Sequence, residues 1–200
     1  MEEIKILMIY MLTAIGVVMN YQVLRYNEEE KGSKRKERIR ESVIFWGIIG
    51  INVYISMNKG IYYLIQGYIG SYLYTQAIND VRERLVDKEL NEKTSIIVGM
   101  IPAIVGIGKE GMVSIGVLMI IIYICEKMGA IGSGDSKGLI IIGYISILLI
   151  CEVSIIYYLG YIVIMNIYTV IYGVSEKRMK GNALYPGMLY SFLILERIGI

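Results

Sequence analysis

The sequence predicts an all-α protein, a polytopic transmembrane bundle of about eight helices forming a single membrane-embedded domain over residues 1–200. Three observations predict it. Of the 200 residues, 56% are hydrophobic, and the mean hydropathy is +0.57. Apolar runs recur in almost every part of the chain, where a soluble domain of this length would not need them. The connections between the runs alternate between strongly basic and nearly uncharged, as crossings of a membrane require.

A helix crossing the apolar core of a bilayer needs about 20 residues, and shorter ones need support from neighbours. The expected spans, in order, are Ile4–Leu24, Val43–Met57, Ile61–Asn79, Ser95–Ile107, Gly111–Cys125, Leu139–Cys151, Val153–Gly173 and Leu184–Ile198. The first follows Met1-Glu2-Glu3 and lacks both a basic leader and a small-residue cleavage site, so it reads as a retained span. The second emerges from Asn27–Glu41, a nearly all-polar stretch read as a short charged cytoplasmic loop that fixes orientation or meets anionic headgroups. The third ends at Asp80. The fourth follows the charged stretch that holds Lys88 and Lys93, and the fifth runs into Glu126 and Lys127. The sixth and seventh are parted by Glu152, an outer turn, and the eighth has Pro186 near its start. Tyr62, Tyr63, Tyr72, Tyr74, Tyr157, Tyr158 and Tyr161 crowd span ends, where amphipathic rings anchor at an interface.

Basic residues set the direction. The connections after spans one, three, five and seven hold Arg25, Lys31, Lys34, Arg35, Lys36, Arg38 and Arg40; Arg82, Arg84, Lys88 and Lys93; Lys127 and Lys137; and Lys177, Arg178 and Lys180. The intervening turns carry Lys59, Lys109 or nothing. These four loops therefore face the cytoplasm and both termini lie outside. The expected location is the cell inner (cytoplasmic) membrane, with lipid as a partner and no nucleic acid.

The chain contains no histidine. Ser-His-Asp and Cys-His nucleophile systems are excluded, as are His-ligated metals. Cys125 and Cys151 form no CxxC pair and read as buried thiols. No metal and no other cofactor is expected.

Two acids then stand out. Asp135 closes Gly132-Ser133-Gly134-Asp135 between two apolar runs, and Asp80 closes another run on the same side. An ionisable group at such a place is a functional-site candidate. Two carboxylates that share one proton can activate one water: one acts as base, while the other, protonated, polarises the scissile carbonyl. Gly132 and Gly134 allow unusual backbone angles or a close approach. Lys137 acts on Asp135 or meets headgroups. The plainer alternative makes Asp135 a helix cap and Asp80 an interfacial charge.

This pattern resembles the type IV prepilin peptidase family of GxGD aspartyl proteases. Gly132-Ser133-Gly134-Asp135-Ser136-Lys137 matches its GxGDxK motif. Asp80-Val81-Arg82-Glu83-Arg84-Leu85-Val86 looks like its first catalytic segment, an Asp followed by a basic, strand-like or turn-like stretch. Gly16 to Arg25, with Asn20 and Arg25, resembles its first-span signature, and Ala183-Leu184-Tyr185-Pro186-Gly187-Met188 resembles, at its proline, the motif before the last span. The resemblance implies Asp80 and Asp135 as the catalytic pair, shaping by Gly132, Gly134 and Lys137, family-motif support from Asn20 and Arg25, and type IV prepilin-like precursors as partners. It implies cleavage of a short basic leader at the cytoplasmic face. Bacterial members commonly carry a cysteine-rich zinc insert after the first span and methylate the product. Asn27–Glu41 has no cysteine, so the zinc is absent and the methyltransferase activity is in question.

Two rivals stand beside this reading. A presenilin-like or signal-peptide-peptidase-like enzyme would place its first Asp inside a span next to a Tyr, whereas Asp80 follows Asn79. An ion- or proton-coupled transporter, or a pilus-assembly scaffold, would use the same acids without cleavage.

Overall fold

The computed structural model describes residues 2–30, 35–60, 62–83, 86–106, 109–129, 131–149, 163–165, 167 and 185–198. Among them the only regular elements are helices: α1 (Glu2–Glu30), α2 (Arg35–Lys59), α3 (Tyr62–Glu83), α4 (Lys88–Val105), α5 (Lys109–Lys127), α6 (Ser133–Leu149) and α7 (Tyr185–Ile198). The fold class is all-α. Each expected span except Val153–Gly173 coincides with one of these helices; that span, Glu152 and Cys151 lie largely or wholly outside the described residues.

Two of the described helices are long and apolar enough to cross a membrane, over Glu3–Tyr26 and Arg35–Met57. The others are shorter, more charged or, like α3 with its tyrosines and amides, less apolar. The 17 residues of α6, for example, rise only about 25 Å at 1.5 Å per residue.

The 27–41 stretch departs from expectation. Its described residues are helical: α1 continues to Glu30 and α2 begins at Arg35, while 31–34 lie outside the described residues. Glu, Lys and Arg are good helix formers, so charge alone does not end a helix. Glu37 in the first turn of α2 also favours that helix start.

Contacts group the chain into two compact units, Met1–Thr75 and Gln76–Ile200. In the first unit, α1 and α2 meet through three aromatic rings. Tyr21 lies 5.3 Å from Phe45 and 5.1 Å from Trp46, and Phe45 stands edge-on to Trp46 at 5.5 Å. Such tilted pairs add about 0.5–1.5 kcal/mol each beyond the area they bury. The start of α3 approaches α1 closely at Gly16, where a Cβ would overlap the Tyr68 ring. Beside it Asn20, fully buried, donates to Ser71 Oγ at 2.7 Å and to the Tyr68 carbonyl at 3.4 Å.

The second unit packs α4, α5, α6 and α7 with the last turns of α3. Gly129, at φ +70°, closes α5 in the left-handed conformation that glycine adopts without strain, and its N–H reaches the Glu126 carbonyl at 3.0 Å. Asp87 caps α4 by accepting from the Leu90 N–H at 2.9 Å. Gln76 grips the chain just before that helix: its Nε2 donates to the Asp87 carbonyl at 2.9 Å, and its Oε1 accepts from the Asp87 N–H at 3.0 Å.

Both units present apolar side chains outward. On α1, Ile4 (63% exposed), Leu7, Met11, Ile15 and Val18 are exposed. On α5, Met112, Val113 (66%), Val117, Ile120, Ile121 and Ile124 are exposed while Ile115, Leu118 and Ile122 are buried. A helix that is apolar all round matches an apolar surrounding rather than water.

Candidate active site

Asp80 sits near the end of α3, 6% exposed. The segment after it is not strand-like or turn-like at first: Val81 to Glu83 continue the helix, and 84–85 lie outside the described residues. Its Oδ2 accepts the main-chain N–H of Tyr185 at 3.0 Å. Tyr185 opens α7, so this N–H is one of the donors that a helix start leaves without an internal partner. Asp80 therefore caps α7 from a distant part of the chain, and the positive end of that helix favours a negative charge there.

Asp135 occupies the first turn of α6, ahead of the apolar stretch that begins at Leu139. The Ser136 N–H bonds the Gly132 carbonyl at 2.9 Å, which marks Gly132 as the residue capping the helix start. The Asp135 carboxylate reaches back to the Gly132 N–H, the return arm of a capping box. The cap reading thus has a geometric basis. A cap alone, however, would lower the acid's pKa. The Asp135 carboxyl is instead pushed up to about 6, first by burial, then by the negative charge of Asp80, with only the Gly132 N–H opposing. Desolvation and a second acid nearby are the conditions for two carboxylates that cannot both ionise cheaply.

The two glycines work through space rather than through backbone angles. Neither is among the glycines of positive φ, which among the described residues are Gly60, Gly106 and Gly129. A Cβ on Gly134 would come within 3.1 Å of Val86, on the segment leading into α4. A Cβ on Gly132 would come within 3.1 Å of Asp135 Oδ2. A side chain at 134 would crowd the Val86 side chain, which would have to give by a few tenths of an ångström.

Lys137 turns away from Asp135. Its Nζ lies 3.7 Å from Glu92 Oε1 on α4, and it is not among the groups that move the Asp135 carboxyl. Its place fits a surface pair joining two helices, worth little in energy. Asn20 and Arg25 belong to the first unit, where Asn20 joins α1 to α3.

The chain matches no family model, no curated protein and no solved structure. The site must therefore be read from its own geometry.

Several residues of that geometry escape a reading of sequence. Tyr185 is fully buried; besides its N–H on Asp80, its phenol donates to the Gly134 carbonyl at 3.0 Å and lies 3.4 Å from Asn91 Oδ1. Asn91, also fully buried, accepts from Gln76 Nε2 at 2.7 Å and reaches toward the Gly134 carbonyl at 3.5 Å. Ser136, next to Asp135, donates to Glu126 Oε2 at 2.5 Å. The available signal was the run of polar residues in apolar surroundings, Gln76, Asn79 and Asn91: buried amides need partners. Their partners lie far along the chain and have no local pattern.

The cavity of about 370 Å³ in the first unit, lined by Tyr10, Val17, Trp46, Asn52, Leu64 and Tyr68 among others, holds none of the site residues. Among the described residues, no three of Cys, Asp and Glu gather as a metal site would require.

Proposed function

We propose that this chain is a membrane aspartyl endopeptidase of the prepilin peptidase type, cleaving the basic leader from type IV pilin-like precursors at the cytoplasmic face of the cell membrane. One observation carries the reading: a half-buried acid whose proton is held to higher pH by burial and by a second, buried acid contributed by a distant helix.

Roles follow from the donors around each acid. Asp80 receives a main-chain N–H, a match for an ionised acceptor, and acts as base toward the attacking water. Asp135 holds the proton, polarises the scissile carbonyl and returns the proton to the leaving amine. Asp80, near the end of α3, faces the start of α7 through the Tyr185 N–H, whose fixed dipole stabilises its charge without reorganising. The outward apolar faces of α1 and α5 and the two membrane-length helices support a multi-pass protein in lipid. In this reading the chain crosses about eight times, with its basic loops and both acids on the cytoplasmic side. The absence of cysteine from 27–41 supports peptidase activity without the zinc insert and leaves product methylation outside the proposal.

The test is cleavage of a purified precursor carrying a basic leader and an apolar helix. The wild-type chain is expected to cut it, and Asp80→Asn and Asp135→Asn are each expected to abolish the cut while the protein stays folded. Cleavage that survives either change removes that acid from the mechanism. Proton or ion flux in vesicles, lost in the same variants and without cleavage, would favour a transporter.

A further inference from the structure

We propose that Tyr185 is the positioning residue that sets the separation of the two acids, an inference that rests on the protease reading above. Its main chain holds Asp80, and its phenol holds the turn that presents Asp135. The main chain and the side-chain tip of one residue are thus committed, one to each half of the pair. A tyrosine has only two side-chain torsions, and this one is fully buried. Its length therefore works as a spacer between the α3 end and the α6 start.

Three features of the surroundings are built to receive it. Gly138, one turn into α6, lacks the Cβ that would lie 2.7 Å from the Tyr185 Oη and 2.9 Å from its Cζ. Any larger residue at 138 displaces the ring. Asn91 meets the same hydroxyl and is itself oriented by Gln76. Gly134, whose carbonyl accepts the phenol, would place a Cβ 3.1 Å from the Val86 side chain, so a side chain there would also crowd this turn. A tyrosine needed only for packing would require neither the bond to a carbonyl within the GxGD turn nor a glycine opposite its hydroxyl.

The experiment uses Tyr185→Phe and Gly138→Ala. Phenylalanine keeps the ring and the N–H on Asp80 and deletes only the bond to Gly134. Two readouts are taken on the purified full chain: steady-state cleavage of the precursor, and the ionisation midpoint of Asp135 from its infrared carboxyl band, taken as the difference from Asp135→Asn. Tyr185→Phe is expected to lower kcat about 10- to 100-fold with KM unchanged, since a misplacement of about 1 Å at a reacting group costs that much. The Asp135 midpoint is expected to fall from about 6 toward the ordinary carboxylate range as the turn drifts from Asp80 and takes on water. Gly138→Ala is expected to move both readouts the same way.

Unchanged kcat per folded molecule together with an unchanged midpoint overturns the proposal, even if the melting temperature drops, because that is the behaviour of a packing residue. Where the two readouts disagree, the midpoint decides. Should the wild-type chain cleave nothing, the protease reading falls, and the infrared midpoint still judges whether Tyr185 positions Asp135.

Discussion

The hydroxyl of Ser136 donates to the carboxylate of Glu126 at 2.5 Å, tying the first turn of α6 to the last turn of α5. A glutamate at a helix C-terminus opposes the helix dipole, and a donor hydroxyl offsets that cost. Ser136 is 2% exposed, so its hydroxyl has little water to turn to. Ser136→Ala is expected to destabilise the fold by about 1–3 kcal/mol, the range for losing a hydrogen bond to a charged group. Glu126→Gln keeps an acceptor and should cost less. Thermal unfolding in detergent ranks the two; equal stability of Ser136→Ala and wild type would show that the contact carries no net energy.

The raised Asp135 carboxyl fixes a sign for the pH dependence. Its folded value, about 6, lies above its ordinary 3.8. Between those values the folded chain binds more protons than the unfolded one, so this group's contribution to stability falls as pH rises through the window and levels off above it. Asp80 and Glu126 nearby add negative charge, while Lys137 is occupied by Glu92. Glu89 works in the opposite sense, lowered by its bond to Lys93, but it is fully exposed and adds little. Melting curves from pH 4 to 7 should slope downward in the wild type and flatten in Asp135→Asn. A wild-type slope that survives the substitution assigns the titration elsewhere.

Gly16 and Gly47 make a matched pair. Both are helical, but a Cβ on Gly16 would overlap Tyr68, while one on Gly47 would meet nothing within 4 Å. Gly16→Ala is expected to cost about 1–3 kcal/mol by overpacking. Gly47→Ala should gain up to about 1 kcal/mol from helix propensity. Melting temperatures that move in the same direction would contradict the close approach of α1 and α3.

Gln76 holds both the N–H and the carbonyl of Asp87. Gln76→Ala takes the acceptor from the Asp87 N–H, while the Asp87 carbonyl keeps the Asn91 N–H at 3.1 Å, and should destabilise by about 1–3 kcal/mol. Hydrogen exchange at the Asp87 and Leu90 amides is the local check: faster exchange is expected in the variant, and unchanged exchange would mean that the clamp does not order the start of α4.

The positions of most helices were legible because each holds a long apolar run bounded by polar or charged residues. Asp135 and Asp80 were legible because acids at the edges of such runs are expensive. The 27–41 stretch misled because polarity was read as a break, although its residues favour helix. Gly132 and Gly134 were marked for unusual backbone angles or a close approach; the structure shows close neighbours, Asp135 for Gly132 and Val86 for Gly134, and the sequence could not name them. Tyr185 stood in the sequence only as one member of the Pro186 motif, without a role of its own among 18 tyrosines. Its importance comes from contacts with residues more than 50 positions away.

Asp135 begins α6 and is also the reactive acid of the proposed mechanism, and Asp80 does the same for α7. In the proposed mechanism, competence is therefore a property of assembly: each acid takes up its working surroundings only once the helix it caps is seated.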